Sequence, residues 1–233
     1  MDRKDKEILY YLDKDVRISY TKLAKITKTS QETVRYRINN LIKDEIIKKF
    51  IVIINVTKLG VIPYQLLLKL QNTDENIKEK AINSLKEDHR IAWIANTEGN
   101  YDLAIIIAAK SPSDLQEVIK KVYKILSKKI IKKTISVHIS GQFFPRDYLI
   151  NKRRDKAAFA SYLAENKIIK LDKVESQICT ILAKDGKASF VDIASKMNMS
   201  ADAIAKRFKK LKEEGIITGS LLILNQEKIG QLY

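Results

Sequence analysis

Gln31, Arg35, Tyr36 and Asn39 recur at spacings that place them on one side of a helix, beside Glu32. Their chemistry is that of a reader of base edges. Gln and Asn present a donor and an acceptor together, matching adenine. Arg presents a rigid pair of donors, matching guanine. The opposite side of the same stretch is apolar, with Val34, Ile38 and Leu41 at i, i+4 and i+7. A helix with that back and that face suits a DNA major groove. An ordinary solvated helix is the plainer reading of the stretch taken alone.

The elements around it are those that would hold such a helix in place. Ser30 is an N-cap candidate at its start, followed by Thr33, and Arg37 and Asn40 lie on its flanks. Before it, Ser19 caps a shorter helix whose apolar side is Leu23, Ala24 and Ile26, and Thr27-Lys28-Thr29 breaks the pattern between the two. Residues 3–13 form a first helix, with Ile8, Leu9 and Leu12 inward. Ile46 to Val56 is β-branched enough for two short strands, with Lys48 and Lys49 near the tip between them. Three helices and a two-stranded wing make a winged helix-turn-helix over 1–62, with the second paired helix in the major groove. Ser30, Gln31, Thr33, Arg35, Tyr36, Arg37 and Asn40 are its candidate DNA contacts. Lys48 and Lys49 would meet phosphate, which positions the protein but reads no sequence.

The same stretch returns 170 positions later without a gap. Asp2 falls on Asp172, Ile8 on Ile178, Ser19 on Ser189, Ser30 on Ser200, Arg37 on Arg207, Leu41 on Leu211 and Gly60 on Gly230. An ungapped match over about sixty residues is an internal repeat. A second winged helix-turn-helix is therefore expected over 171–233, with Ser200, Lys206, Arg207, Lys209 and Lys210 as its candidate DNA contacts. Ala201, Ala203 and Ala205 stand where the first copy has Gln31, Thr33 and Arg35, which predicts weaker sequence preference. The second copy ends on the apolar Leu221 to Leu224, Ile229 and Leu232. The expectation is a truncated duplication with a second regulatory domain missing; the alternative is a fold-back onto Phe143, Phe144 and Phe159.

Between the copies the texture changes. Strand (from Pro63), helix (Glu75 to Lys86), strand (Ile91 to Ala95), strand (Leu103 to Ala109), helix (from Pro112) and strand (Ile131 to Ile139) follow in turn. That βαββαβ order predicts a ferredoxin-like sandwich over 63–141, a four-stranded antiparallel sheet with both helices on one face. Its open face needs a ligand or a partner subunit. Residues 142–170 are a joint. There Lys152-Arg153-Arg154 is a basic knot, Phe143, Phe144, Tyr148 and Leu149 pack on a neighbour, and 157–166 is a short helix. Trp93 reads as core. The fold class is α+β.

Composition agrees with a polyanionic partner. The 233 residues carry a net charge of +16 and an isoelectric point near 9.7. Residues 1–62 hold 14 Lys and Arg against 8 Asp and Glu, and residues 171–233 hold 10 against 8, so the first copy is the more basic. No apolar run is long enough for a membrane helix, and no signal-peptide core opens the chain. The lone Cys179 excludes an intrachain disulfide and fits a cytoplasmic protein. His89 and His138 lie far apart, no closely spaced Cys and His suggest a metal site, and the seven glycines form no phosphate loop. No cofactor and no catalytic residue set is expected.

A helix-turn-helix followed by a βαββαβ domain resembles the leucine-responsive and asparagine-regulator (Lrp/AsnC) transcription factors. The residues carrying the resemblance include Asp15-x-Arg17-x-Ser19, Leu23-Ala24, Ser30-x-x-Thr33-Val34-x-x-Arg37-Ile38-x-x-Leu41 and Lys58-Leu59-Gly60. Gly99-Asn100-Tyr101-Asp102 carries it in the middle domain. The resemblance covers 1–140, and its first domain again at 171–233. It implies a sequence-specific regulator of transcription that binds double-stranded DNA. It also implies a homodimer or higher oligomer, and an amino-acid effector near Gly99, Tyr101 and Asp102. The plainer reading of those three residues is a turn with a positive φ at Gly. The tandem second head departs from the family pattern. The rival function class is a small-molecule sensor or assembly module whose helix-turn-helix copies contact protein, and an enzyme is the third.

Overall fold

The computed structural model describes residues 1–151, 160–163 and 167–230. The basic knot at 152–154, Phe159, the outer parts of the helix expected at 157–166, and Leu232 lie outside them. In chain order the elements are α1 (Arg3–Lys14), α2 (Tyr20–Thr27), α3 (Gln31–Lys43), β1 (Ile47–Ile54), β2 (Ile62–Leu70), α4 (Glu75–Leu85), β3 (Ile91–Asn96) and β4 (Leu103–Ala109). Then come α5 (Pro112–Leu126), β5 (Ile130–Val137), β6 (Ser140–Phe143), β7 (Ala160–Leu163), α6 (Lys173–Lys184), α7 (Phe190–Ser195), α8 (Ala201–Glu213) and β8 (Ile217–Leu224). They form two compact units. One holds both ends of the chain with 142–162, and the other holds 56–141 with 163–169.

In the unit of the chain ends, each copy starts on a capping box. The Asp2 carboxylate accepts from Asp5 N and the Asp5 carboxylate accepts from Asp2 N; Asp172 and Glu175 repeat the pair. Ser19, Ser30, Ser189 and Ser200 each cap the helix that follows them. The turn before α3 passes through Lys28, left-handed at φ 52°, and the turn before α8 through Asn198, also at φ 52°.

The wing differs from expectation. Residues 46–54 contain no Gly, Pro, Asn or Asp on which the chain could reverse, so they run on as the single strand β1. The partner strand comes from the other copy. β1 and β8 pair antiparallel, with Phe50 opposite Leu222, Ile51 opposite Leu221 and Val52 opposite Ser220. Each copy therefore gives one strand to a shared ribbon, and neither closes a wing by itself. Helix α1 packs on β8 and α6 on β1. Leu222 and Leu224 are buried with Ile8, Leu9, Leu12 and Ile47, so the apolar end of the second copy packs into the core of the first copy, which Leu149 of the joint also enters. Burying Leu222 fully contributes about 1.5–3 kcal/mol.

Hydrogen bonds across this ribbon come in reciprocal pairs. Val16 N donates to Ser220 Oγ at 2.9 Å, and Gly186 N donates to Phe50 O at 2.8 Å. Asp13, fully buried, accepts from Leu222 N at 3.3 Å and from the Arg146 guanidinium. Burial raises its carboxyl above the ordinary value while Arg146 works against that rise. Of the joint residues, Leu149 is buried with α1, whereas Phe144 and Tyr148 are covered only in part, at 36% and 39% exposure.

The middle unit has the sheet order β3-β4-β2-β5, all neighbours antiparallel. Alternate residues Leu66, Leu68, Ile105 and Ile107 face α4 and α5, meeting Leu85, Val118 and Val122. The other face is open. Trp93 lies there at 50% exposure, opposite Ile106, and is not core. β6 and β7 pair as a further ribbon, so Ala160–Leu163 is strand where the sequence suggested helix. Four residues gain little from helix propensity, and a partner strand outweighs it.

Candidate DNA interface

Helix α3 is fixed at its start by Ser30, whose Oγ accepts from Thr33 N at 3.1 Å and lies 3.0 Å from Thr33 Oγ1. Val34, Ile38 and Leu41 are buried beneath it. Gln31, Glu32, Arg35, Tyr36 and Asn39 are exposed together and line one shallow depression, with Tyr36 at 66% exposure. Helix α2 orients two of them. Thr21 Oγ1 donates to Gln31 Oε1 at 3.1 Å, and the Arg35 guanidinium lies 5.8 Å from the Tyr20 ring centroid. Thr33 and Asn40 are half-buried at the rim of a neighbouring depression that also includes Asp5 and Tyr36.

Arg37 has a different task. It donates to Asp5 Oδ1 at 2.8 Å and to Asp2 Oδ2 at 2.7 Å, tying α3 to the capping box of α1. Those hydrogen bonds, Asp5 first, raise its pKa above the ordinary guanidinium value. The pattern repeats in the second copy, where Arg207 pairs with Asp172 and Lys210 Nζ lies 2.7 Å from Glu175 Oε1. The sequence placed Arg37, Arg207 and Lys210 among base and phosphate contacts. In the structure each is first an intramolecular clamp, for which the 2-5-37 and 172-175-207 constellation was the available signal.

Lys48 and Lys49 are exposed at the start of β1, just after α3, and not at a tip, because the ribbon has no tip there. Beside them Lys228 Nζ donates to Asp44 O at 2.9 Å and pairs with Glu45 Oε2 at 3.0 Å.

Helix α8 stands on the same frame with other chemistry. Ser200 Oγ accepts from Ala203 N at 3.2 Å. Ile204 and Leu211 are buried. Ala201, Ala203 and Ala205 are half-buried, and Asp202, Lys206, Lys209 and Lys210 are exposed. Lys209 lies 3.7 Å from Glu213, and Lys206 has no ion pair among the described residues.

The turn of the middle unit is built tightly. Gly99 sits at φ +97°, which a side chain would strain. Asp102 Oδ2 accepts from Leu70 N at 2.7 Å, and Oδ1 pairs with Lys69 Nζ at 2.9 Å. The Leu70 hydrogen bond, helped by Lys69, holds this carboxyl below its ordinary value. Lys69 Nζ also donates to Gly99 O at 3.0 Å, and the Tyr101 hydroxyl lies 2.7 Å from Thr134 Oγ1. The three residues expected to meet an effector are thus together, and both Asp102 oxygens are committed to strand β2.

Elsewhere, burial pushes the Cys179 thiol up to about 11, so little thiolate exists at neutral pH. Among the described residues no three His, Cys, Asp or Glu side chains cluster as a metal site, and no helix is long and apolar enough to cross a membrane.

Comparison with known proteins matches both ends of the chain. A family model described as winged helix-turn-helix DNA-binding covers residues 1–48 and again 171–218. An uncharacterized HTH-type transcriptional regulator from Pyrococcus furiosus is 30% identical over 118 residues, 50% of this chain and 78% of that protein. The HTH-type transcriptional regulator LrpA of Pyrococcus abyssi is 34% identical over 121 residues, 51% of this chain and 83% of that protein. Among solved structures, an AsnC family transcriptional regulator from Agrobacterium tumefaciens has TM-score 0.53 at 15% identity, covering 63% of this chain and 95% of its own. The siroheme decarboxylase NirDL has TM-score 0.60 at 16% identity, covering 94% of this chain and 65% of its own. At these identities the two structures share the fold alone. With the sequence relatives, the α+β architecture and the repeated head, the chain belongs to the Lrp/AsnC family of HTH-type transcriptional regulators, in a tandem form that carries the winged helix-turn-helix twice.

Proposed function

We propose that the protein is a sequence-specific DNA-binding regulator of transcription and not an enzyme. The observation that carries this is the exposed face of α3: Gln31, Arg35, Tyr36 and Asn39 stand together on a capped, well-anchored second helix. Such a face offers hydrogen bonds to base edges, and Lys48 and Lys49 offer charge to the backbone beside it. Thr33, Asn40 and Ser30 flank the reading face. Lys206, Lys209 and Lys210 with Arg207 play the corresponding part in the second copy. The relatives' own description as transcriptional regulators supports the same reading.

The finer part of the proposal is modulation by a small effector, an amino acid by family likeness, at Gly99 and Tyr101 in a homodimer or higher oligomer. Asp102 serves there as the brace of the turn.

A mobility-shift titration on source-genome DNA over a salt series tests the reading. Log affinity should fall linearly with log salt as counterions are released, and selected DNA should bind at least about 10³-fold more tightly than random DNA. Salt-independent binding, or no preference for any fragment, contradicts it in favour of a protein-contact module.

A further inference from the structure

Two copies that share a ribbon are not merely two heads on one string. The ribbon register pairs Ile51 with Leu221, two residues separated by the repeat period, and its neighbours pair crosswise, Phe50 with Leu222 and Val52 with Ser220. Only a two-fold axis through the 51–221 pair produces that pattern. The contacts around it obey the same exchange. Val16 reaches 220 and Gly186 reaches 50. The Arg17 guanidinium lies 4.3 Å from the Phe190 ring centroid, and Lys187 Nζ lies 4.3 Å from that of Tyr20. Adding 170 to the first-copy member of one contact, and subtracting 170 from its second-copy member, gives the other contact. Arg17 also donates to Gly186 O and Ala188 O, each at 2.8 Å, so the axis is held by well-made contacts.

Helices α3 and α8 are related by this axis because they occupy equivalent places in the two copies. Duplex DNA has dyad axes of its own, and a two-fold pair of helix-turn-helix heads meets two half-sites about one helical turn, or a multiple of it, apart. In the usual arrangement two chains supply the heads and the half-sites read alike. Here one chain supplies both, and the heads differ. The α3 face carries Gln31, Arg35 and Asn39, whereas the α8 face carries alanine methyls, Asp202, Lys206 and Lys209.

We infer that a single chain occupies a bipartite DNA site of unequal halves. One half is specified base by base by α3. The other lies at fixed spacing across the dyad and is held by α8 through its phosphates with loose sequence preference. This rests on the reading of the protein as a DNA-binding regulator. It adds the stoichiometry, the spacing rule and the asymmetry of the target.

The experiment uses the full chain on a site selected from genomic fragments. Hydroxyl-radical footprinting and native mass spectrometry of the complex should show two protected patches for each chain bound, whether the chain binds singly or as an oligomer. Five base pairs inserted between the patches turn one half to the opposite side of the duplex and should cost tenfold or more in affinity, and ten should restore most of it. Lys206→Ala with Lys209→Ala should lower the slope of log affinity against log salt by about 2, near one per lysine, and leave the base preference of the α3 half unchanged. Both side chains are exposed, so the variant folds. One patch only, two chains needed for two patches, or indifference to the five-pair insertion overturns the inference while leaving the DNA-binding reading intact. No specific site at all removes that reading, and the inference with it.

Discussion

Ile51 faces Leu221 across the ribbon, and the two are the same position of the repeat, 170 residues apart. Self-pairing of equivalent positions is what two identical chains do in a symmetric dimer, where residue i meets j and j meets i. Here it happens within one chain, so each copy is completed by a strand of the other. The stability of the two copies is therefore coupled.

Gly186 reports on that coupling. A Cβ placed there would come within 2.9 Å of the Ile51 carbonyl carbon and 3.1 Å of Val52 N, both backbone atoms that cannot swing aside. Gly186→Ala should force β1 away from the second copy and cost about 1–3 kcal/mol. The check is urea unfolding followed by hydrogen exchange. The variant should lose protection in both β1 and β8, and loss confined to the second copy would show that the strands are independent.

Arg17 sits on the same axis, with two carbonyls as acceptors and the Phe190 and Phe208 rings at 4.3 and 5.3 Å. Lysine keeps the charge but lacks the planar fork that serves both carbonyls and stacks on the rings. Arg17→Lys should cost about 1–2 kcal/mol in the unfolding free energy of this unit. A stability equal to the parent's would mean that charge alone matters there.

Much of this fold was legible before the structure. The 3.6-residue period from Val34 to Leu41, the serine caps and the strand-helix order of 63–141 each rest on local chemistry. The exchange of wing strands was not legible. Alternation identifies a strand but not its partner, and the axis becomes visible only when the repeat register is laid on the pairing of Ile51 with Leu221. The clamp made by Arg37 was not legible for a related reason. Its position on α3 is near DNA contacts, but its ion pairs reach Asp2 and Asp5, distant in sequence. The apolar strand around Trp93 reads as core, whereas alternation turns its side chain to the open face.

Asp102 separates the brace from the ligand contact. Removing its carboxylate takes the acceptor from Leu70 N and leaves Lys69 with only Gly99 O. Asp102→Ala should destabilise the middle unit by about 1–3 kcal/mol with no ligand present. Thermal melting in the absence of small molecules reads this directly. An unchanged melting temperature, with loss of an amino-acid-induced shift, would give the residue to the effector instead.

Acid should weaken the middle unit through Asp88. Arg90 foremost, then Lys121, holds this nearly buried carboxylate far below its ordinary value of 3.8. A lowered carboxyl stabilises the fold above its unfolded value, and the gain is lost as pH falls through the folded one. The melting temperature of this unit should therefore drop steadily below about pH 4. In Arg90→Leu the drop should be much shallower, from a lower starting stability. Equal acid slopes in parent and variant would rule out this pair as the cause.

The most direct test of the account compares the genomic fragments bound by the parent chain with those bound by Gln31→Ala/Arg35→Ala. Both side chains are exposed on α3, so the variant keeps its fold. The account predicts that the parent enriches a defined set of sites. The variant should lose that preference, at about 1–3 kcal/mol per base-reading side chain, while still binding random DNA within a few-fold of the parent. Enrichment of the same sites by both proteins, or equal loss of specific and random binding, would contradict the assignment of α3 as the reader.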